Sequence, residues 1–116
     1  MIKTKNIMDN SNLYKVVLIF NLQEGKADEE LNRSKMENSF PNLLAKQPGF
    51  IELELVKINE EKTMSIQTWK REKDWWAALE AVKKLNENLP RTENRENILI
   101  SRDFLNGYIK VHTQKS

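Results

Sequence analysis

The chain has 116 residues, which is enough for one domain with a modest hydrophobic core. It contains no cysteine, so disulfides, thiolate catalysis and metal sites with cysteine ligands are excluded. Its net charge is only +2, with basic and acidic residues mixed along the chain, so a nucleic-acid partner is not expected. No apolar run approaches the roughly 20 residues of a membrane-spanning helix, so no membrane is expected either.

The N-terminal residues 1–12 are polar and lack the apolar centre of a signal peptide. They are predicted to form a loose tail. The protein is expected in the cytoplasm, a reducing compartment that fits the lack of cysteine. Residues 13–113 are predicted to form the domain, and residues 114–116 a short C-terminal tail.

The first strand and the first helix are predicted from residues 13–22 and 27–46. The strand is rich in β-branched and aromatic residues and is apolar on both faces, so both faces are expected to be covered. Three acidic residues suit the first turn of the helix, where the helix dipole favours negative charge. Pro41 cannot donate to the helical hydrogen-bond ladder and predicts a kink or a restart, and Pro48-Gly49 predicts the end of the helix.

A hairpin follows, and its predicted parts are the second strand at 50–58, a turn at 59–62 and the third strand at 63–70. Alternation places Glu52 and Glu54 on one face of the second strand, opposite its apolar residues. The third strand alternates as well, and the face opposite Met64 and Ile66 carries Ser65, Gln67 and Trp69.

The clearest helix is predicted from residues 73–86, because its apolar residues recur every three or four positions. A polar stretch at 86–96 is predicted to be a connector. After a brief apolar run at 98–100, the fourth strand is predicted from 104–113. One face of this strand carries Phe104, Tyr108 and His112.

This order of elements predicts an α+β fold of the ferredoxin-like βαββαβ type with a four-stranded antiparallel sheet. Both helices then cover one face of the sheet, and the second face has no cover from its own chain. Each large apolar side chain left in water there forgoes about 1.5–3 kcal/mol, and monomers seldom expose such a patch. The sequence therefore predicts a homodimer that packs sheet face against sheet face. The predicted residues of the second face are Val17, Ile19, Asn21, Glu52, Glu54, Ser65, Gln67, Trp69, Phe104, Tyr108 and His112.

Three segments resemble the antibiotic biosynthesis monooxygenase family, a group of dimeric α/β barrels. They are Pro48-Gly49-Phe50 before the second strand, Ser65-Ile66-Gln67-Thr68-Trp69-Lys70 at the end of the third, and the charged step Arg71-Glu72-Lys73-Asp74. In order and spacing the resemblance covers roughly residues 13–113. It implies a monooxygenase that needs no cofactor and no metal, and that acts on a small planar organic molecule between the sheet and the helices.

The site residues of the family carry over only in part. The tryptophan of the polyketide-oxidising members is Trp69 here, but Ser65 stands in place of their asparagine and Trp75 in place of their tyrosine. The haem-degrading members pair an asparagine of the first strand with this tryptophan and ligate iron through a histidine on the second helix. Asn21 and Trp69 match the first two positions, whereas the only histidine of the chain is His112, on the predicted last strand.

The candidate catalytic residues are Trp69, Asn21 and His112, and the candidate substrate-binding residues are Ser65, Gln67, Trp75, Phe20 and Tyr108. Trp69 would stack on a flat substrate, although a tryptophan at the end of a strand also serves core packing. Trp75 and Trp76 would wall a pocket or only widen the core stripe of their helix. Asn21 would orient a carbonyl group or merely end a strand. His112 is the only group that ordinarily titrates near neutrality, and it lies close to the C-terminus.

Two alternative functions stay open at this point. One is a non-catalytic small-molecule-binding protein with the same fold. The other is a haem-degrading or haem-binding protein, against which the missing histidine on the second helix weighs.

Overall fold

The computed structural model of the chain describes residues 12–87 and 98–115. Within these two ranges the elements are β1 (Tyr14–Leu22), α1 (Ala27–Ser34), α2 (Phe40–Leu44), β2 (Phe50–Asn59), β3 (Lys62–Trp69), α3 (Glu72–Glu87) and β4 (Leu99–Tyr108). No helix in this part of the chain is long and apolar enough to cross a membrane. Residues 1–11 of the predicted N-terminal tail and most of the predicted connector at 86–96 lie outside the described residues.

The four strands form one antiparallel sheet in the order β2-β3-β1-β4, which confirms the predicted α+β ferredoxin-like fold. One face of the sheet packs against the helices, because buried residues of α2 and α3 share a core cluster with residues of β1 and β3. We call this the covered face and the opposite one the open face. The core cluster consists of Tyr14, Val16, Leu43, Leu44, Trp69, Trp75, Ala78 and Val82.

The predicted first helix is in fact two helices separated by a short loop. Pro41 lies in the first turn of α2, where its missing N–H deprives the helix of no hydrogen bond. Ser39 caps α2, since its hydroxyl accepts a hydrogen bond from the backbone N–H of Asn42 at 3.3 Å. The restart predicted at Pro41 is therefore confirmed.

Ser65, Gln67 and Trp69 of β3 lie on the covered face, which corrects the prediction. Trp69 pairs with Tyr14 and Gln67 pairs with Val16, so both share a face with the core residues of β1. Ser65 lies on the same face, and all three β3 residues are at most 4% exposed. The prediction placed them on the open face because alternation separates two sets of side chains without saying which set the helices cover. The apolar set of this strand faces outward instead.

The fourth strand begins and ends earlier than the predicted range of 104–113. It pairs with β1 along its length, from Leu99 opposite Leu22 to Tyr108 opposite Tyr14. It ends at Tyr108 because its neighbour in the sheet begins at the opposite residue. His112 therefore lies beyond the strand, where it is exposed, and it belongs to neither face.

Two aromatic residues of β4 are also on the covered face rather than the open one. Phe104 pairs with Leu18 and Tyr108 pairs with Tyr14, so both point to the side of the helices. The prediction was wrong for both, because it took the apolar neighbour Leu105 to be the core residue of this strand. Leu105 lies on the open face and is 59% exposed in the single chain.

The open face has an apolar centre that extends across the sheet. Val17 pairs with Leu105 on one side and with Ile66 on the other. The next row consists of Ile19, Met64 and Val56. The pairing confirms the predicted open-face positions of Val17, Ile19, Asn21, Glu52 and Glu54. The open face of the single chain is therefore apolar in the middle and charged along β2.

Two glycines with positive φ differ in their surroundings and give a matched test of the turn before β2. Gly25 has φ +73° and open space around it, whereas Gly49 has φ +86° and a Cβ built on it would overlap the side chain of Asp74. We expect Gly25→Ala to cost about 1 kcal/mol for the left-handed backbone. Gly49→Ala should cost about 1–3 kcal/mol more because of the overlap. Urea denaturation of both variants measures the difference, and equal losses would contradict this packing.

Candidate functional site

An aromatic cluster of five rings spans the covered face between the sheet and α3. Trp69 meets Phe50 at 5.4 Å and Trp75 at 5.9 Å, measured between ring centroids. Phe104 stacks on Trp75 at 6.1 Å with an interplanar angle of 21°, and Trp76 meets Phe104 edge-on at 6.2 Å. Such pairs contribute roughly 0.5–1.5 kcal/mol each beyond their buried area. The aromatic cluster therefore ties β2, β3 and β4 to the start of α3.

A hydrogen-bonded series of β3 side chains lies next to the aromatic cluster. The indole Nε1 of Trp69 donates to Oε1 of Gln67 at 2.9 Å, and Nε2 of Gln67 donates to Oγ of Ser65 at 3.1 Å. The three residues are every second residue of one strand, so their side chains point the same way. Buried polar groups need such partners to offset the loss of water. The series therefore holds the indole of Trp69 and the hydroxyl oxygen of Ser65 in fixed positions.

Trp75 carries a buried polar atom without a partner in residues 12–87 and 98–115. The residue is only 2% exposed, and none of these residues offers its indole Nε1 a hydrogen-bond acceptor. Leaving a buried donor unpaired costs about 1–3 kcal/mol. Its ring is held on α3 between Trp69 and Phe104. The aromatic cluster therefore contains an N–H group that is free to bind an acceptor oxygen.

At the outer end of the aromatic cluster lies an open groove of about 440 Å³, lined by Arg71, Glu72, Lys73, Trp76 and Tyr108. We call it the Trp76 groove. The Glu72 carboxylate fixes both aromatic walls, because it accepts a hydrogen bond from Nε1 of Trp76 and one from the hydroxyl of Tyr108, each at 3.0 Å. The first contact follows from the i, i+4 spacing on α3. The second depends on the register that brings the end of β4 to the start of α3.

The charges around the Trp76 groove are unevenly paired. Arg71 donates to both carboxylate oxygens of Asp74, at 3.2 and 3.4 Å. The Lys110 ammonium lies 5.8 Å from the ring centroid of Tyr108. Among residues 12–87 and 98–115, neither Lys73 nor Lys110 has a carboxylate within ion-pair distance. The groove therefore has unpaired positive charge at its rim.

Tyr108 is expected to titrate at a higher pH than an ordinary tyrosine. The Glu72 carboxylate, which accepts its hydrogen bond, raises the pKa of Tyr108 above 10.0, and desolvation and the negative charge of Glu72 act in the same direction. The contact therefore stabilises the fold below pH 10.0, and its contribution is lost as the pH rises through the raised pKa. The difference in tyrosinate absorbance between wild type and Tyr108→Phe measures the titration. Glu72→Gln should move the midpoint down, and an unchanged midpoint would contradict the contact.

The structure brings together four of the eight candidate site residues on the covered face, namely Trp69, Trp75, Ser65 and Gln67. Tyr108 lies at the nearby groove. Phe20 shares the covered face but lies six residues along β1 from Tyr14, which pairs with Trp69. Among the described residues, no group of three or more histidine, aspartate or glutamate side chains is placed to hold a metal ion.

Two candidate catalytic residues lie apart from this set. Asn21 is on the open face, where its amide donates to Ser101 at 3.1 Å and to Asp103 at 3.3 Å. Asn21 and Trp69 therefore lie on opposite faces of the sheet within one chain. His112 lies beyond the end of β4.

The sequence interpretation missed Glu72, the residue that fixes both walls of the groove. The predicted helix began at Lys73, one residue too late, so the i, i+4 spacing of Glu72 and Trp76 was not used, although side chains four residues apart meet on a helix. No comparable signal pointed to the contact between Glu72 and Tyr108, because the two residues are 36 positions apart in the chain.

No family model and no curated protein matches the chain. Several solved structures do. SnoaB, a cofactor-independent oxygenase from Streptomyces nogalater, has a TM-score of 0.65 and 16% identity, covering 90% of this chain and 99% of its own. A candidate antibiotic biosynthesis monooxygenase from Bacillus cereus has a TM-score of 0.64 and 18% identity, with the same two coverages of 90% and 99%.

A third solved structure is MhuD, a haem degrader from Mycobacterium tuberculosis with two haems bound in its active site. Its TM-score is 0.67 and its identity is 14%, covering 88% of this chain and 99% of its own. These likenesses confirm the predicted resemblance at the level of the fold. The chain therefore has the fold of the antibiotic biosynthesis monooxygenase-like proteins.

Proposed function

We propose that the protein is a cofactor-independent monooxygenase that acts on a small planar organic substrate bound against the covered face. The observation that supports this most is the aromatic cluster, which reaches from the Trp76 groove to the buried Trp69. Flat rings offer stacking surfaces to a flat substrate. The shared fold with SnoaB, a cofactor-independent oxygenase, adds to this support.

Oxygenation without a cofactor takes its electrons from the substrate. A methylene group between two aromatic rings, as in an anthrone, loses its two hydrogens and gains one oxygen atom of O2, while the second oxygen atom leaves as water. No outside reductant is needed for this balance. The contribution of the protein is then a site that excludes water and presents fixed polar groups. Here these groups are the N–H of Trp75 and the hydroxyl of Ser65.

Oxygen consumption with a panel of anthrones and quinols tests the proposal. We expect turnover by the wild type and a loss of about a hundredfold in Trp69→Phe, because the shortened side chain releases Gln67 and with it the position of Ser65. Lys83→Gln, an exposed position on α3, is the control and should leave the rate unchanged. The absence of turnover with every compound would remove the enzyme proposal.

A non-catalytic small-molecule-binding protein is the second candidate. It is favoured by the packing of Trp69, which is 0% exposed and has its N–H bonded to Gln67. This candidate predicts that the same compounds bind without oxygen uptake.

Haem handling, the activity of MhuD, is tested by titration, because a bound haem shifts its Soret band and an unbound haem does not.

We further propose that the protein is a homodimer joined through the open face. The apolar rows around Val17 and Ile19 lie at its centre, and Leu105 is 59% exposed in the single chain. Monomers rarely expose a contiguous apolar patch of this kind. Sedimentation at micromolar concentration should give the mass of two chains, and a single-chain mass would overturn the proposal.

A further inference from the structure

The Trp76 groove has two aromatic walls whose polar edges are already occupied. The N–H of Trp76 and the O–H of Tyr108 both donate to Glu72, one to each carboxylate oxygen. The residues are nevertheless 44% and 47% exposed. Because the polar group of each ring is already hydrogen-bonded, the exposed part of the ring offers a ligand an apolar surface and no free donor. A ligand for these walls is therefore a ring system.

The groove is also large enough for such a ligand. Its volume of about 440 Å³ falls within the range of roughly 300–1,000 Å³ in which small-molecule sites are found. The Glu72 carboxylate bridges the start of α3 and the end of β4, so the two walls are positioned before a ligand arrives. Preorganisation of this kind reduces the entropy lost on binding.

The charges select the sign of the ligand. The Glu72 carboxylate is engaged by two donors, and the guanidinium of Arg71 is matched by Asp74. Lys73 lines the groove and Lys110 lies over the ring of Tyr108, and neither has a carboxylate partner within the described ranges. The Trp76 and Tyr108 donors are neutral and leave the charge of Glu72 in place, but the two ammonium groups outnumber this one carboxylate. The net charge therefore favours an anion over a neutral molecule or a cation.

We propose that the Trp76 groove binds flat aromatic molecules that carry a carboxylate or a similar single negative charge. The ring system packs against Trp76 and Tyr108, and the anionic group lies towards Lys73 and Lys110. This inference rests on the proposed function, since it names the chemical class of the small planar molecule. The inference also assigns the preference for an anionic ligand to Lys73 and Lys110.

Three naphthalene derivatives of one shape test the inference, namely naphthoate, naphthylmethanol and naphthylmethylammonium. Their dissociation constants are measured by calorimetry with the wild-type chain at low salt. We expect naphthoate to bind about tenfold or more tightly than naphthylmethylammonium, with naphthylmethanol in between. Added NaCl should narrow this preference, because salt screens exposed charges.

Variants of the groove separate the contribution of the lysine charges to binding from that of the aromatic walls. The double variant Lys73→Gln with Lys110→Gln should abolish the preference for the anion while naphthylmethanol still binds. Trp76→Ala should weaken the binding of all three compounds. Lys83→Gln removes the same charge elsewhere on α3 and should keep the wild-type order of affinities.

The outcomes distinguish the inference from the function on which it rests. If none of the three compounds binds, the proposal of a small-molecule site fails together with the inference. If all three bind equally, or if the double variant keeps the preference, the anion inference is overturned while the proposed function stands.

Discussion

Trp69→Ala is expected to lower the free energy of unfolding by about 3–5 kcal/mol, which is the range for removing a fully buried tryptophan. Trp69 is 0% exposed, packs against Phe50 and Trp75 and donates to Gln67. The substitution leaves a cavity in the core and a buried amide oxygen without its donor. Because domains are stable by only about 5–15 kcal/mol, this loss is a large part of the total.

Trp76→Ala is the matched control for this measurement. Trp76 is also a tryptophan of the aromatic cluster and also donates to a side chain, but it is 44% exposed. Its loss should cost about 1 kcal/mol. Urea denaturation of the two variants compares them directly. If Trp69→Ala costs no more than Trp76→Ala, Trp69 is not the centre of the core. Trp69→Phe should fall between them, since it keeps a ring but leaves Gln67 without its donor.

If the chain forms the proposed homodimer, Leu105→Asp is expected to convert it into folded single chains at micromolar concentration. Leu105 lies on the open face beside Val17, so a carboxylate there would be buried against the partner without a counter-charge. Burying an unpaired charge costs several kcal/mol per ion, and the substitution would occur twice in a symmetric dimer. In the single chain the residue is 59% exposed, so the fold itself should tolerate the change. Sedimentation gives the mass, and circular dichroism confirms folding.

A second leucine provides the control for the dimer. Leu85 on α3 is 45% exposed and lies away from the open face. Leu85→Asp introduces the same charge and removes the same apolar group, and it should leave the mass at two chains. Dissociation by both variants, or by neither, would contradict an interface on the open face.

The sequence was sufficient for the order and type of the elements apart from the division of the first helix into α1 and α2. The composition of β1 and the periods of the hairpin strands and of α3 were the signals. Pro41 marked the restart of α2, and Pro48-Gly49 marked the turn before β2. The start of β4 was not predictable in the same way. Its residues Ser101, Arg102 and Asp103 are polar, and they form a strand because β1 offers a paired edge along its length.

The faces of β3 and β4 were predicted wrongly for a physical reason. Both sets of alternating residues in these two strands contain apolar side chains, so hydrophobicity does not distinguish the covered face from the open one. On β3 the covered face holds Ser65 and Gln67, whose polar groups are satisfied by hydrogen bonds that a sequence pattern does not show. The outward face holds Met64 and Ile66 instead.

The parts of the candidate site that lie within one strand or one helix could be predicted from the sequence. The resemblance singled out Trp69, and helical spacing placed Trp75 near it. The Trp76 groove needs Tyr108 and Glu72, which belong to different elements and meet only through the register of β4 on β1. Contacts of that kind depend on the assembled sheet rather than on a local period.

The edge strand β4 borders two surfaces at once, since Tyr108 points to the groove and Leu105 to the opposite side. A shift of this strand would alter both surfaces together. If the groove binds the proposed ligand and the chain forms the proposed dimer, the two equilibria are coupled through β4. A ligand that changes the dimerisation constant by some factor is then itself bound more or less tightly by the dimer, by the same factor.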